Sequence, residues 1–248
     1  MSRGQLQKLY FSSLGRCNTR LRQLFDHGFV SRYYLPAAPF GAQAIYSIGK
    51  AAIPVVAKQV EMDIRTVTKH YRRTQTPTFI EHTLEIVNVR IAFEEAVKQS
   101  PEVEIERWLP EMFCRHEYDI RESGSGTWMK EVFKPDAFVR LKQRDSGTYF
   151  NYFIEVDLGH TSSRQFLGKL LMHQQYMESG LFNDIFGCEQ FRTLVITTTD
   201  GRLCNLQRLT QDNFSALCWF ATFSCINQFG ILGSIWKKPF CSETKYLF

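Results

Sequence analysis

Two acids spaced two residues apart, Glu155 and Asp157, end the run Tyr149-Phe150-Asn151-Tyr152-Phe153-Ile154-Glu155-Val156-Asp157-Leu158. Side chains alternate along a strand. Phe153, Glu155 and Asp157 therefore share one face, and Tyr152, Ile154 and Val156 share the other. A buried carboxylate with no partner is costly, so acids in so apolar a strand must face a cleft, be paired, or hold a cation. A third acid, Asp136, follows Pro135 just ahead of a short alternating strand, Phe138 to Leu141. The bland alternative for all three is a set of charged strand ends that only form hydrogen bonds. Lys169 lies on the next helical segment, and its bland role is a salt bridge to one of those acids. Glu85 stands one helical turn after Glu81 and could add a carboxylate. His82 reads as a structural histidine, Glu111 as a residue that fixes the strand after it, and His160 as a loop residue within reach of a cleft. Ser162 and Ser163 lack a His–Asp partner pattern and read as a helix cap.

The elements that must position these residues form an α/β layer. Residues 78–99 carry apolar positions at helical spacing, and Pro101 stops the helix. Residues 112–120 read as a strand, with a turn at Gly124 and Gly126. Gly147 marks the turn between the strand after Asp136 and the strand of Glu155. Gly159 ends the latter, and a helix runs from about Ser162 to Ser179 with Phe166, Leu170, Leu171 and Tyr176 inward. Phe191 to Thr198 has the continuous apolar centre of an internal strand. Arg202 to about Phe214 reads as a helix and Trp219 to Phe223 as another strand.

Ahead of this body lies a basic head. Residues 1–75 hold twelve Lys or Arg against three acids, a net +9, so the remainder carries −4 of the overall +5. Such a head suits a polyanion. Residues 3–11 form a helix, and Ser12 and Ser13 interrupt it. Leu14 to His27 forms a second helix with Leu14, Cys17, Leu21, Leu24 and Phe25 on one side and Arg16, Thr19, Arg20 and Gln23 mostly on the other. Gly28 ends that helix. A strand at 29–34, a loop at 36–43 with Pro36, Pro39 and Gly41, and a strand at 44–48 complete a wing, and Gly49 opens an apolar helix to about Gln59. Helix, turn, helix and two-stranded wing is the arrangement that lays its second helix in the major groove. Arg16, Arg20, Arg22 and Gln23 then face phosphates or base edges, with Arg32 at the wing. The usual first helix of a winged helix is missing: either the start is truncated, or another element or a partner chain covers that side. A basic connector follows, Arg65 through Arg73, and Pro77 sets the boundary near residues 74–78. The domains are thus 1–75 and 76–248.

At 248 residues, 44% hydrophobic and 22% charged, the chain is a soluble globular protein rather than a disordered or fibrous one. Seven scattered cysteines form no CxxC pair and predict free thiols in a reducing cytosol. No charge occurs from Asn213 to Trp236, but Asn213, Ser215, Thr222, Ser224, Asn227 and Gln228, with Gly230 and Gly233, argue against a membrane span.

Pro135-Asp136, Glu155-x-Asp157 after a hairpin, and a helix with Lys169 resemble the PD-(D/E)xK nuclease fold. That resemblance implies a divalent metal, Mg2+ or Mn2+, on the motif acids and phosphodiester hydrolysis. The lysine normally two residues after the second acid is replaced by Asp157, and Lys169 could supply the cation from the neighbouring helix. A wider resemblance, over about residues 5–236, is to the replication-relaxation family. It rests on the winged helix, His82-Thr83-Leu84-Glu85-Ile86, Trp108 with Glu111, Pro135-Asp136-Ala137, Ile154 to Gly159, and Lys169-Leu170 through Tyr176. It implies DNA replication and mobilisation on plasmids and integrated elements.

The resulting expectation is an N-terminal winged helix-turn-helix followed by a PD-(D/E)xK-like mixed-sheet domain. Double-stranded DNA is the expected partner, alongside replication or mobilisation proteins, in the cytoplasm and away from membranes. A homodimer is compatible with a winged helix, though no zipper demonstrates one. Two functions stay open: a DNA-binding protein that nicks or cuts with Asp136, Glu155, Asp157 and Lys169, and a non-catalytic DNA-binding regulator on a nuclease-like scaffold. A protein-interaction adaptor is the weaker third.

Overall fold

The computed structural model describes residues 1–34, 44–72, 76–121, 128–212, 214 and 217–248. The expected wing loop at 36–43, the turn at Gly124 and Gly126, Arg73, Asn213 and Ser215 lie outside the described residues. The chain divides into two compact units, Met1–Ile91 and Ala92–Phe248.

In the first unit, α1 (Arg3–Tyr10) starts at Ser2, whose hydroxyl accepts from the Gln5 backbone while the Gln5 side chain accepts from the Ser2 N–H. This reciprocal cap satisfies two of the donors a helix start leaves open. The next helix, α2 (Leu14–Asp26), is capped by Ser13 and left through Gly28, whose φ of 72° suits glycine. Strands β1 (Val30–Tyr34) and β2 (Ala44–Ile48) pair antiparallel, Val30 opposite Ile48. A single 3-10 turn at Lys50–Ala52 leads to α3 (Ile53–Gln59) and α4 (Ile64–Arg72), which bury Ile53, Ala57 and Val67 between them. The last helix, α5 (Pro77–Gln99), has residues in both units.

The side of the head that the sequence leaves uncovered is met by the first turns of α5. Gln5 Nε2 donates to the Leu84 carbonyl at 2.7 Å and to Asn88 Oδ1 at 2.8 Å. An apolar cavity of about 480 Å³ remains there, lined by residues that include Leu6, Leu21, Leu24, Ile45, Ile80 and Leu84.

The second unit begins with β3 (Val103–Pro110), α6 (Glu111–Cys114), β4 (His116–Arg121) and β5 (Trp128–Phe133). The expected strand at 112–120 is therefore a helical turn followed by a strand. Next come β6 (Ala137–Gln143), β7 (Tyr149–Asp157), α7 (Ser163–Ser179) and α8 (Leu181–Phe186). Then follow β8 (Arg192–Thr197), α9 (Asp200–Thr210), β9 (Cys218–Thr222) and α10 (Phe223–Phe229). Two short strands end the chain, β10 (Trp236–Lys237) and β11 (Thr244–Lys245).

Seven strands form one mixed sheet in the order β11-β10-β9-β8-β7-β6-β3. The pairs β3–β6 and β6–β7 are antiparallel, and β7–β8 and β8–β9 are parallel. The parallel pairs follow from helical crossovers, which antiparallel hairpins do not need. Leu194, Val195 and Ile196 are wholly buried at the centre, as the continuous apolar run of β8 predicts. One sheet face, with Phe138, Phe153, Val195 and Phe220, shares a core with Phe166, Leu170 and Tyr176 of α7 and with Leu203 and Leu206 of α9. Phe133 stacks on Tyr176 at 4.0 Å and 14°, closing β5 onto α7. Among the described residues, no helix is long and apolar enough to cross a membrane.

Candidate carboxylate site and basic helix

The register of β6 and β7 brings two of the expected acids together. Phe138 lies opposite Phe153 and Ala137 opposite Ile154, so Asp136, two residues before Phe138, falls beside Glu155 on the same sheet face. Asp136 is held there by its backbone and its side chain. Its N–H donates to the Ile154 carbonyl at 3.1 Å, and its Oδ2 accepts from the Val156 N–H at 2.8 Å. Helix α7 packs over this face. Its positions 169 and 173, one turn apart, both point at Glu155. Lys169 Nζ donates to Glu155 Oε2 at 2.7 Å, and His173 Nε2 meets Oε1 at 2.9 Å.

Glu155 and His173 are buried, whereas the Lys169 side chain is 43% exposed, so the lysine is the solvent-facing member. Burial by itself would raise the Glu155 pKa. The Lys169 charge, then the hydrogen bond and charge from His173, outweigh it and hold the carboxyl at about 2. The same pairing keeps Lys169 protonated: the Glu155 charge raises its pKa against the opposing cost of burial, with Asp136 and Glu111 adding to the rise. Glu111, at the start of α6, is also 2.7 Å from Lys134.

Asp157 shares the sheet face of Glu155 but has a different set of partners. Arg202 of α9 grips it with two bonds, Nε to Oδ2 at 2.7 Å and Nη2 to Oδ1 at 3.1 Å. The Thr197 hydroxyl donates to the Asp157 carbonyl at 2.9 Å. Arg202 Nη2 also donates to the Thr161 carbonyl at 2.7 Å, which ties down the loop after β7. The structure thus gathers Asp136, Glu155 and Lys169 and gives Asp157 to Arg202. Among the described residues, no three His, Cys, Asp or Glu side chains form a metal-ligating group. Asp136 and Glu155 nonetheless offer hard oxygen donors side by side, the chemistry Mg2+ or Mn2+ requires.

Sequence reasoning does not single out His173, Thr193 or Arg202 as site residues. The only signal for His173 is its position four residues after Lys169. Of the other candidates, Glu85 accepts from Asn88 at 3.1 Å, His160 is exposed, and Ser162 caps α7 with Gln165.

In the first unit, α2 buries Cys17 and Leu21 and exposes Arg16, Arg20, Arg22 and Gln23. Arg16, Arg20 and Gln23 stand at i, i+4 and i+7 and form one stripe. Arg22 lies further round the helix, 3.8 Å from Asp26. Leu14 and Phe25, expected inside, are 46% and 38% exposed. The Phe25 ring carries the Arg32 guanidinium 4.5 Å from its centroid, which fixes that arginine at the hairpin.

No curated protein and no solved structure matches the chain. The family model for replication-relaxation proteins matches residues 1–188, about three-quarters of its length, and the chain belongs to the replication-relaxation family.

Proposed function

We propose that this is a duplex-DNA-binding protein of plasmid or mobile-element replication and mobilisation, whose second unit carries a metal-dependent nicking or cutting site. The observation that carries the catalytic part is the convergence of Asp136, just before β6, with Glu155 of β7 and Lys169 of α7. The sheet is compatible with it: β3, β6 and β7 pair antiparallel and β8 joins β7 in parallel after α7 and α8, with Asp136 just before β6 and Glu155 on β7, although α6, β4 and β5 intervene between β3 and β6. Asp136 and Glu155 would hold the cation. A bound Mg2+ or Mn2+ polarises a phosphate and lowers the pKa of its water. Lys169, solvent-facing and protonated, is placed to bind a phosphate oxygen or the attacking water. The head supports the DNA part. It reads as a winged helix whose α2 presents Arg16, Arg20 and Gln23 to the groove, with Arg32 at the wing.

One observation favours the scaffold reading, in which DNA is bound and left intact. Both Glu155 oxygens are already engaged, by Lys169 and His173. Supercoiled plasmid with Mg2+ or Mn2+ decides between the two. Wild type converts it to open circle and Glu155→Ala does not; intact plasmid with wild type across several substrates leaves the scaffold. Duplex affinity falls with salt, and Arg16, Arg20 and Arg22 changed together to Ala flatten that dependence by about 0.9 in log–log slope for each phosphate no longer neutralised. An unchanged slope removes α2 from the DNA interface.

A further inference from the structure

The two oxygens of Glu155 have unlike surroundings. Oε2 meets Lys169, a flexible side chain 43% exposed. Oε1 meets His173, whose side chain is 3% exposed. The far nitrogen of that ring, Nδ1, lies 2.9 Å from the hydroxyl of Thr193, a wholly buried residue on β8. A carboxylate only accepts, so the proton facing Oε1 sits on His173 Nε2. Nδ1 and the Thr193 hydroxyl share the bond on the other side of the ring, which fixes the ring's orientation. The ring is also wedged among aromatic side chains, with the Phe133 centroid at 4.8 Å and 73° and Phe153 at 6.0 Å.

We propose that Thr193 and His173 are positioning residues that lock Glu155 through Oε1 and so leave Oε2 as the oxygen a divalent cation takes. The inference rests on the metal-dependent reading above and deepens it. Thr193 fixes the ring, and His173 passes that constraint to Oε1 of Glu155. Of the two partners, only Lys169 can leave without breaking the core. A cation therefore replaces the lysine on Oε2 while the histidine bond on Oε1 persists. Partners behind a metal ligand typically set about 10–100-fold in metal affinity by fixing the ligand's orientation.

The test is Mn2+ titration of the full chain, followed by isothermal calorimetry and by loss of the free-ion electron paramagnetic resonance signal. Glu155→Ala serves as the site control and thermal melting as the check on folding. Thr193→Val removes the hydroxyl with little change of shape, and Thr193→Ser restores it. His173→Phe removes the donor, and His173→Gln keeps one. The expected result is at least about tenfold weaker Mn2+ binding in Thr193→Val and His173→Phe, with Thr193→Ser and His173→Gln within about threefold of wild type. A role in packing alone would move melting temperature without this split between the hydroxyl-bearing and hydroxyl-free variants. If His173→Phe fails to fold, the threonine pair decides. Wild-type affinity in folded Thr193→Val overturns the positioning role and leaves the metal site standing. Wild type that binds no more Mn2+ than Glu155→Ala overturns the metal reading, and the positioning role with it.

Discussion

Replacing Lys169 by Met removes the solvent-exposed partner of a buried carboxylate. In the native protein the Glu155 pKa is lowered from 4.5 to about 2. That lowering is a net effect: its partners together outweigh the cost of burying the charge, on the order of a few kcal/mol. Lys169 is almost half exposed and screened by water, so its own share is about 1–2 kcal/mol. A depressed carboxyl stabilises the fold above its unfolded pKa and loses that contribution as pH falls toward the folded value. The gap between wild type and Lys169→Met is therefore full at about pH 7, keeps more than half its size at about pH 3, and falls below half only as pH approaches the folded value of about 2. All four tryptophans (Trp108, Trp128, Trp219 and Trp236) lie in the second unit, so urea unfolding followed by their fluorescence reports on this unit alone. Equal stability at pH 7, or a gap that persists undiminished on acidification, would refute the reasoning.

Arg202→Met strips Asp157 of its bidentate partner and costs about 3 kcal/mol by the same fluorescence. Asp157→Asn in that background recovers part of the loss, whereas additive losses would show that the pair is not coupled. Gly49→Ala drives a Cβ to 2.2 Å from the Gly28 carbonyl oxygen, and the expected readout is faster amide exchange over 44–52. Unchanged exchange there would mean that the hairpin exit tolerates the methyl. Thiol labelling of native protein marks exposed Cys204 first, while buried Cys17, Cys114, Cys188 and Cys218, their pKa values raised by burial, label only on unfolding. Early labelling of Cys114 or Cys218 would contradict the packing of this core.

What the sequence could disclose was local. The alternation that ends in Glu155 and Asp157 announced β7, and the spacing of Cys17, Leu21 and Leu24 announced α2. Strand β3 escaped because the alternation Val103-Glu104-Ile105-Glu106 is short and a bulge between Ile105 and Arg107 breaks it before Trp108 and Leu109. An edge strand needs only one apolar face and is fixed by its partner, here a β6 more than twenty residues further on. Leu14 and Phe25 have the periodicity of core residues and yet stand half in solvent, because spacing places side chains on a face without supplying anything to cover it. His173 and Thr193 were invisible for a related reason: they lie 18 and 38 positions from Glu155, on elements whose contact only the closed sheet creates.

Glu155 and Asp157 share one motif and one sheet face but have different partners. Strand geometry puts both acids on one face and so obliges the fold to find two sets of partners. It finds them on two different helices. Arg202 of α9 meets Asp157 through a planar fork and anchors the loop carbonyl of Thr161, a bond network with no loose member. Glu155 receives one fixed partner and one flexible, half-exposed partner. A carboxylate meant only to hold the fold gains from the first arrangement, since any labile partner risks leaving a buried charge exposed to its full desolvation cost. The second arrangement trades that security for an oxygen that can change partners, and the trade makes sense where another positive charge is due to arrive. On the metal-dependent reading proposed above, the partners of Asp157 suit a strut and those of Glu155 a ligand, although the bare spacing of the two acids made them look equivalent.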